Sequence, residues 1–217
     1  GLGTTSIVCA LLHDVVEDTE INLDDIESLF GLRVAKIIDG LTKLRGAHFG
    51  ENVSMQAENF RKMLLTLSDD IRVILIKLSD RLHNMRTLES MRHDKQQKIA
   101  SETLYLYAPL SHRLGLYNIK SEFEDLCLKY KEPSVYEKIE KSLVKSKAVR
   151  TRFINQFTIP IKRGLDTSNI KYEVKTRTKS IYSIYNKMLN KNIPFEEVFD
   201  LFAIRIIIDT PIETEKS

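Results

Sequence analysis

Four side chains that could bind a metal or move a proton are crowded into residues 13–18. His13 and Asp14 are adjacent, and Glu17 and Asp18 follow one helical turn later. In a helix, residues four apart share a face, so His13 would lie with Glu17, and Asp14 with Asp18. Such crowding among apolar neighbours is costly unless a proton or a cation neutralises it. The alternative is a helix end turning into a solvated acidic loop, with His13 as an ordinary core histidine.

A further acidic residue, Asp80, belongs to a different predicted helix. The preceding residues 71–78 are apolar enough to be buried, and Asn84 shares a helical face with Asp80. A buried aspartate needs a partner. A histidine and an aspartate, together with an aspartate distant in the sequence, suit Mn²⁺, Fe²⁺ or Zn²⁺. We expect no cationic side chain of these motifs to lie near enough to balance the charge of the carboxylates. The alternative is a surface ion pair between Asp80 and Arg81.

A basic segment near the end of the chain is the third candidate. Lys175, Arg177 and Lys179 occupy alternate positions just before a predicted helix. Cations ahead of a helix N-terminus favour anions, so the segment is a candidate polyphosphate site, with a solvated basic strand edge as the alternative. Asp200 opens an apolar run, where its carboxylate either binds Mg²⁺ or caps a turn.

The elements that must position these groups are mostly helical. Apolar spacing predicts helices over 7–15, 26–30, 34–41, 54–67, 70–91, 95–110, 119–130, 134–162 and 180–189. Asn22 or Asp24 is expected to begin the second of these helices and Gly31 to end it. Alternation over 170–175 and an apolar run over 201–209 predict strands, with a loop at 46–52 and boundaries at Pro133 and Gly164.

Composition excludes several classes of protein. With 217 residues, 42% of them hydrophobic, the chain can bury a real core. Its 33 basic and 30 acidic residues leave a net charge of +3, too little to predict nucleic-acid binding. No apolar run approaches the length of a membrane span. Cys9 and Cys127 fit reduced core residues of a cytosolic, hence cytoplasmic, protein.

Several longer motifs carry a family resemblance. His13-Asp14 with the distant Asp80 resembles the HD phosphohydrolase superfamily. The wider match is to the RelA/SpoT homologue family, bifunctional enzymes that make and destroy guanosine tetra- and pentaphosphate. The motifs that resemble it are HDVVEDT at 13–19, DGLTKL at 39–44, KLSDRLHNMRTL at 77–88, YAPLSHRLG at 107–115, RTKSIYSIYNKM at 177–188 and FDLFAIR at 199–205.

The resemblance implies roles in a hydrolase site. His13, Asp14 and Asp80 would be metal ligands, with Mn²⁺ as the expected ion. Glu17 and Asp18 match the acidic pair that handles the attacking water and its protons. The reaction removes the 3′-pyrophosphate of the nucleotide and yields GDP or GTP. Two further positions match those that hold the ribose and phosphate groups, namely Asn84 and Thr87.

The resemblance also implies a synthetase site, which transfers pyrophosphate from ATP to GDP or GTP. Asp200 would be catalytic and hold Mg²⁺, and Arg205 would lie by the phosphates. The expected neighbours of ATP are Arg177, Lys179, Ser183 and Lys187. Family members specialised for synthesis have usually lost the motifs His13-Asp14 and Glu17-Asp18. Because both motifs are intact in this sequence, we expect a protein that hydrolyses as well.

The expected fold is mainly α, with an HD-domain helical bundle followed by the start of an α+β nucleotidyltransferase-like domain. The expected domains are an HD-type hydrolase at 1–110, a central helical linker at 111–165 and the beginning of the synthetase at 166–217. The family supplies another histidine ligand and a guanine-binding loop from before Gly1, so we expect a truncated piece with an incomplete metal site and negligible activity by itself.

The expected partners are ppGpp, pppGpp, GDP, GTP and ATP, and the ribosome only through regions outside this chain. We expect no membrane and no direct nucleic-acid contact. Two other functions remain open from the sequence. One is an HD-type hydrolase acting on another nucleotide, which the transferase-like tail argues against. The other is a non-catalytic helical scaffold that keeps the motifs as structural ion pairs.

Overall fold

A computed structural model describes residues 2–45, 70–168 and 170–208. The predicted loop at 46–52 and the predicted helix at 54–67 lie outside the described residues. The chain divides into two compact units, Gly1–Tyr130 and Lys131–Ser217. Mainly helical structure with one small sheet confirms the expected fold class.

The first unit is built from eight α-helices within the described residues. They are α1 (Thr4–Leu11), α2 (Val15–Asp18), α3 (Leu23–Phe30), α4 (Leu32–Arg45), α5 (Ile71–Arg86), α6 (His93–Glu102), α7 (Ala108–Arg113) and α8 (Tyr117–Lys131). Short 3₁₀ and π segments, Leu88–Ser90 and Thr103–Tyr107, adjoin α5 and join α6 to α7. Helices α1, α4 and α5 pack against one another.

One apolar core holds these helices together. Its fully buried members include Ile38 on α4, Ile74 and Met85 on α5, and Phe123 on α8. Cys9 and Cys127 are completely buried and form no disulfide in the described structure, which confirms their placement in the core. Helix α5 therefore crosses the unit with its apolar side buried, and its polar side is left to carry Asp80.

The first helix ends earlier than its apolar spacing predicts. α1 stops at Leu11, and α2 starts only at Val15. His13 and Asp14 lie in the turn between the two helices. The expectation that His13 shares a helical face with Glu17, and Asp14 with Asp18, is therefore wrong. The physical reason is a side-chain bond: the His13 ring binds the carbonyl of Ala10, one of the carbonyls that the helix end leaves without a backbone partner.

Helix α3 begins and ends as local chemistry predicts. Asn22 accepts hydrogen bonds from the backbone N–H groups of Asp24 and Asp25, and the Asp25 carboxylate accepts one from the backbone N–H of Asn22. This reciprocal capping box identifies Asn22, rather than Asp24, as the first cap. Gly31 ends the helix at φ 84°, a backbone conformation that glycine adopts without strain.

The second unit contains helices α9 (Pro133–Lys145), α10 (Lys147–Thr167) and α11 (Ile181–Lys191) with strands β1 (Tyr172–Thr178) and β2 (Phe202–Ile208). The strands pair antiparallel with Tyr172 opposite Ile208 and Thr178 opposite Phe202. Ile139, Ile184 and Val198 form a small core between α9, α11 and the segment before β2.

The single helix expected over 134–162 is wrong. Pro133 does open α9, but the helix ends at Lys145 and a new one starts at Lys147. The Ser146 hydroxyl donates to the carbonyl of Ser142, where it competes with the regular helical bond from the Ser146 N–H, and such side-chain bonds weaken and bend helices. The boundary expected at Gly164 is also displaced, since α10 continues to Thr167.

No helix within the described ranges is long and apolar enough to cross a membrane.

Matched leucines test which contacts stabilise the first unit. Leu110 on α7 is 0% exposed, whereas Leu11 on α1 is 77% exposed. Leu110→Ala removes packed methyl groups from the core, so we expect it to lower the free energy of unfolding by about 2–5 kcal/mol. Leu11→Ala should change it by less than about 0.5 kcal/mol. Urea denaturation followed by circular dichroism measures both, and similar losses would contradict the assigned core.

Candidate functional site

His13 is fixed by a hydrogen bond to the end of the preceding helix, α1. Its Nδ1 lies 2.9 Å from the carbonyl oxygen of Ala10. A carbonyl only accepts, so Nδ1 must carry the proton in this contact. In a neutral imidazole the lone pair then lies on Nε2, the tautomer that a metal ligand requires.

The other ring nitrogen, Nε2, is buried and has no hydrogen-bond partner among the described residues. It lies 3.0 Å from Oδ2 of Asp14 and 3.6 Å from Oδ1 of Asp80. The structure therefore brings together the three side chains that the sequence suggested as metal ligands. The carboxylate of Asp14 makes no cap bond to α2, although Asp14 occupies the N-cap position of that helix.

Two neighbours on α5 hold the carboxylate of Asp80. Lys77 Nζ lies 3.0 Å from Oδ2, and Asn84 Nδ2 donates to Oδ1 at 3.0 Å. Lys77 is only 11% exposed and Asp80 only 16%. The expectation that no cationic side chain lies near these carboxylates is therefore wrong. Lys77 stands three residues before Asp80 on one helix, so the spacing alone could have identified the pair.

Arg81 does not pair with Asp80, which excludes the surface ion pair offered as the alternative. Its guanidinium lies over the ring of Tyr107, 4.3 Å from the centroid, and donates to the Tyr107 hydroxyl at 3.2 Å. It also donates to Glu102 at 3.4 Å. Arg81 thus joins α5 to the end of α6 and to the π segment, and not to Asp80.

Glu17 and Asp18 follow the turn on the single-turn helix α2. Their backbone N–H groups donate to the carbonyl of Asp14 at 3.0 and 2.9 Å. Glu17 is half-buried and Asp18 is exposed. Thr87 ends α5, where its hydroxyl donates to the carbonyl of His83 at 3.0 Å. Glu17 and Asp18 therefore lie on the helix that Asp14 begins, and Thr87 lies at the end of α5, which carries Asp80.

The donor chemistry of this cluster fits a cation. A lone pair on a buried nitrogen beside two carboxylate oxygens is repulsive unless a proton or a metal ion lies between them. Imidazole and carboxylate are ligands for Zn²⁺, Mn²⁺ and related ions. In the present side-chain arrangement, however, no three His, Cys, Asp or Glu side chains among the described residues form a metal-binding group. One oxygen of Asp80 is turned to Lys77 instead.

In the second unit, two lysines converge on Asp200. Lys179 Nζ lies 2.7 Å from Oδ2, and Lys187 of α11 contacts Oδ1. Ser180 caps α11 by accepting the backbone N–H of Ser183, and the two serine hydroxyls are 2.7 Å apart. Each oxygen of Asp200 is bound by one lysine and keeps a further lone pair with which it could bind a Mg²⁺ ion.

Arg177 and Arg205 lie on the same exposed face of the two-stranded sheet. Arg177 is opposite Ala203, and Arg205 is opposite Lys175 two pairs further along the register, which places both arginines on one face. Side chains directly opposite each other on adjacent strands are neighbours, so this face concentrates positive charge. Lys179 and Asp200, by contrast, lie just beyond the ends of the strands.

Family comparisons cover both units. Residues 1–117 match the model for the HD domain, and residues 176–217 match a region found in RelA and SpoT proteins. The chain therefore belongs to the HD domain family and joins this domain to a RelA/SpoT region. The match confirms the resemblance that the sequence motifs indicated.

Relatives of known name extend along most of the chain. A guanosine-3′,5′-bis(diphosphate) 3′-pyrophosphohydrolase of Aquifex aeolicus is 43% identical over 211 residues, 97% of this chain and 30% of the relative. The bifunctional (p)ppGpp synthase/hydrolase SpoT of Escherichia coli K12 is 44% identical over 94% of this chain and 29% of the relative. A GTP pyrophosphokinase of Myxococcus xanthus is 44% identical over 96% and 28%. The chain thus spans less than a third of these relatives.

We expect the carboxyl group of Asp200 to titrate at an unusually low pH, because two lysines bind it. Hydrogen bonds from Lys179 and then Lys187 lower the pKa of Asp200 well below its ordinary value of 3.8. A lowered pKa in the folded state stabilises the second unit above about pH 4, and this contribution disappears as the pH falls through the lowered pKa. Carboxyl-carbon NMR should therefore show Asp200 still ionised at pH 3. In Lys187→Met its midpoint should rise, whereas an unchanged midpoint would contradict the pairing.

Proposed function

We propose that the protein removes the 3′-pyrophosphate from ppGpp and pppGpp, giving GDP or GTP and pyrophosphate, at His13, Asp14 and Asp80. The names of relatives more than 40% identical over nearly the whole chain support this substrate class. We propose Mn²⁺ as the metal ion, held by these three side chains.

One observation carries the proposal. One ring nitrogen of His13 is bound to the Ala10 carbonyl, and the other is buried between Asp14 and Asp80 without a hydrogen bond to any residue that the structure describes. Buried polar atoms nearly always have a partner, and an exception in a native structure needs an explanation. A metal ion explains all three groups at once, since it accepts the lone pair and neutralises both carboxylates.

The bound ion would lower the pKa of a water molecule and so supply a nucleophile at neutral pH. The residues of the chain do the rest. The Ala10 carbonyl keeps His13 in the ligating tautomer, and we assign proton transfer to the Glu17 and Asp18 carboxylates, which follow the turn directly. Such acid–base groups typically contribute about 10²–10⁴-fold to a rate.

Nucleotide binding is assigned to the end of α5. Asn84 and Thr87 would hold the ribose and phosphate groups of the guanine nucleotide. Asn84 already lies against the proposed metal ligand Asp80, so a nucleotide held there lies beside the reacting centre. We propose the cytoplasm as the compartment, because neither cysteine forms a disulfide in the described structure, as is usual for proteins of reducing compartments.

A second activity is proposed for the second unit, namely transfer of pyrophosphate from ATP to GDP or GTP. The match of residues 176–217 to a region of RelA and SpoT proteins supports it. Asp200 is the proposed catalytic carboxylate with Mg²⁺ as its expected ion. Five residues are proposed for the nucleotides and their phosphates: Arg177, Lys179, Ser183, Lys187 and Arg205.

The domain limits remain a proposal as well. We assign hydrolysis to 1–110, a linking role to 111–165 and synthesis to the region from 166 onward. Contacts with the ribosome are proposed only for parts of the protein outside this chain.

Replacing Asp80 tests the hydrolase site. Asp80→Asn keeps the size of the side chain but removes its negative charge, so the full-length protein should lose Mn²⁺ affinity and at least about 10²-fold in pyrophosphate release from ppGpp. Asp94→Asn is the matched control, because Asp94 is 63% exposed at the start of α6 and pairs only with Arg92 in the described structure. Undiminished hydrolysis in Asp80→Asn would contradict the metal assignment.

Arg177 separates the two activities. Its replacement by alanine removes a cation from the exposed face of the sheet in the second unit, so the full-length protein should lose ATP-dependent synthesis and keep its hydrolysis of ppGpp. The comparison variant is Lys191→Ala, which removes an exposed charge at the C-terminal end of α11, away from the basic sheet face. Parallel assays of both reactions decide, and loss of both activities would argue for one shared site.

A further inference from the structure

We propose that Lys77 is a positioning residue of the hydrolase site, which orients the Asp80 carboxylate toward His13. The proposal rests on the proposed hydrolase function and names a residue to which that function has so far given no role. The ion pair that Lys77 forms in the described structure is with Asp80. Lys77 acts through Asp80.

The burial of Lys77 is the first argument. Its side chain is 11% exposed, and the adjoining turns of α5 are filled by core residues such as Ile74 and Leu78. Burying an ammonium group is costly unless it is paired. In the part of the chain that the structure describes, its ion pair is with Asp80, so this lysine cannot turn away to another carboxylate without moving through the core or into solvent.

The spacing of three residues on α5 is the second argument. Lys77, Asp80 and Asn84 follow one another at three and four residues, which places them on one helical face. Lys77 binds Oδ2 and Asn84 binds Oδ1, so both oxygens of Asp80 are held from opposite ends. The plane of the carboxylate is thereby fixed, and Oδ1 is left 3.6 Å from His13 Nε2.

Exposed lysine pairs elsewhere in the chain show the contrast. Lys141 and Glu137 on α9 also form an ion pair along a helix, but their side chains are 71% and 62% exposed. Such a pair reorients freely and contributes little to stability. The Lys77 pair is shielded from solvent and ends on a proposed metal ligand, which is the situation in which an outer partner controls ligand geometry.

Two effects of Lys77 on metal binding have opposite signs, and this makes the proposal testable. As a charge, Lys77 repels a dication and competes with it for Oδ2, so removing the lysine would tighten metal binding. As a positioning group, it holds Asp80 ready, so removing it would weaken metal binding. Outer partners of metal ligands typically account for about 10- to 100-fold in affinity. We expect the positioning effect to dominate.

The experiment measures Mn²⁺ affinity of the full-length protein without nucleotide, by the EPR signal of free Mn²⁺. The variants are Lys77→Met, Lys77→Gln and Lys77→Arg. The matched control is Lys120→Met on α8, because Lys120 also binds a shielded carboxylate along its helix, Glu124 at 2.8 Å. A purely structural lysine would alter thermal stability in both positions but not Mn²⁺ affinity.

We expect Lys77→Met and Lys77→Gln to bind Mn²⁺ at least about tenfold more weakly, and Lys77→Arg and Lys120→Met to stay within about threefold of the wild type. If Lys77→Met does not fold, Lys77→Gln decides, because it keeps a long stem and a polar donor. Unchanged or tighter binding in Lys77→Gln overturns the proposal while leaving the hydrolase assignment intact. Failure of the wild type to bind Mn²⁺ overturns both.

Discussion

Charge that must be buried at one turn is the constraint on which the first unit depends. Asp14 and Asp80 both approach Nε2 of His13, and Nε2 makes no hydrogen bond within the described part of the chain. The surrounding helices are held by an apolar core that cannot solvate these groups. The unit therefore needs compensating contacts, and it has them in the Ala10 carbonyl for one ring nitrogen and in Lys77 for one carboxylate.

In the second unit, by contrast, the charged groups of the candidate site are open to solvent. Asp200 is 51% exposed and sits between two lysines, so water reaches this carboxylate directly. The basic face with Arg177 and Arg205 is exposed as well. An open, positively charged surface suits a polyanion that arrives from solution, whereas a shielded acidic cluster suits a metal ion that remains bound. The two proposed reactions thus correspond to two different electrostatic environments.

Apolar periodicity predicted much of the fold, because helices that bury one face must repeat their apolar residues. It located α5, α8 and α11 within a few residues, alternation located β1, and an apolar run located β2. It failed at the turn before α2 and at Ser146, where a side chain bonds to a carbonyl of the preceding helix. Apolar spacing continues across such breaks and so carries no information about them.

The site was only partly predictable for the same reason. His13, Asp14 and Asp80 were identifiable by type and by family motif, but Lys77 was overlooked, although its spacing from Asp80 is simple. The tautomer of His13 depends on the Ala10 carbonyl, and a backbone atom has no signature in the sequence. Geometry supplied what residue types could not, namely which atoms face one another.

The break between α1 and α2 explains why two adjacent residues can serve one ion. In a continuous helix, neighbouring side chains point about 100° apart and diverge. Asp14 instead has φ −109° and ψ 0°, outside regular helix geometry, and its carboxylate oxygen reaches within 3.0 Å of the His13 ring. The same turn ends α1, because the ring that faces the carboxylates also caps the helix through Ala10. The His-Asp pair is therefore a property of the turn, and a substitution that restored a straight helix would separate the two proposed ligands while leaving both residues in the sequence.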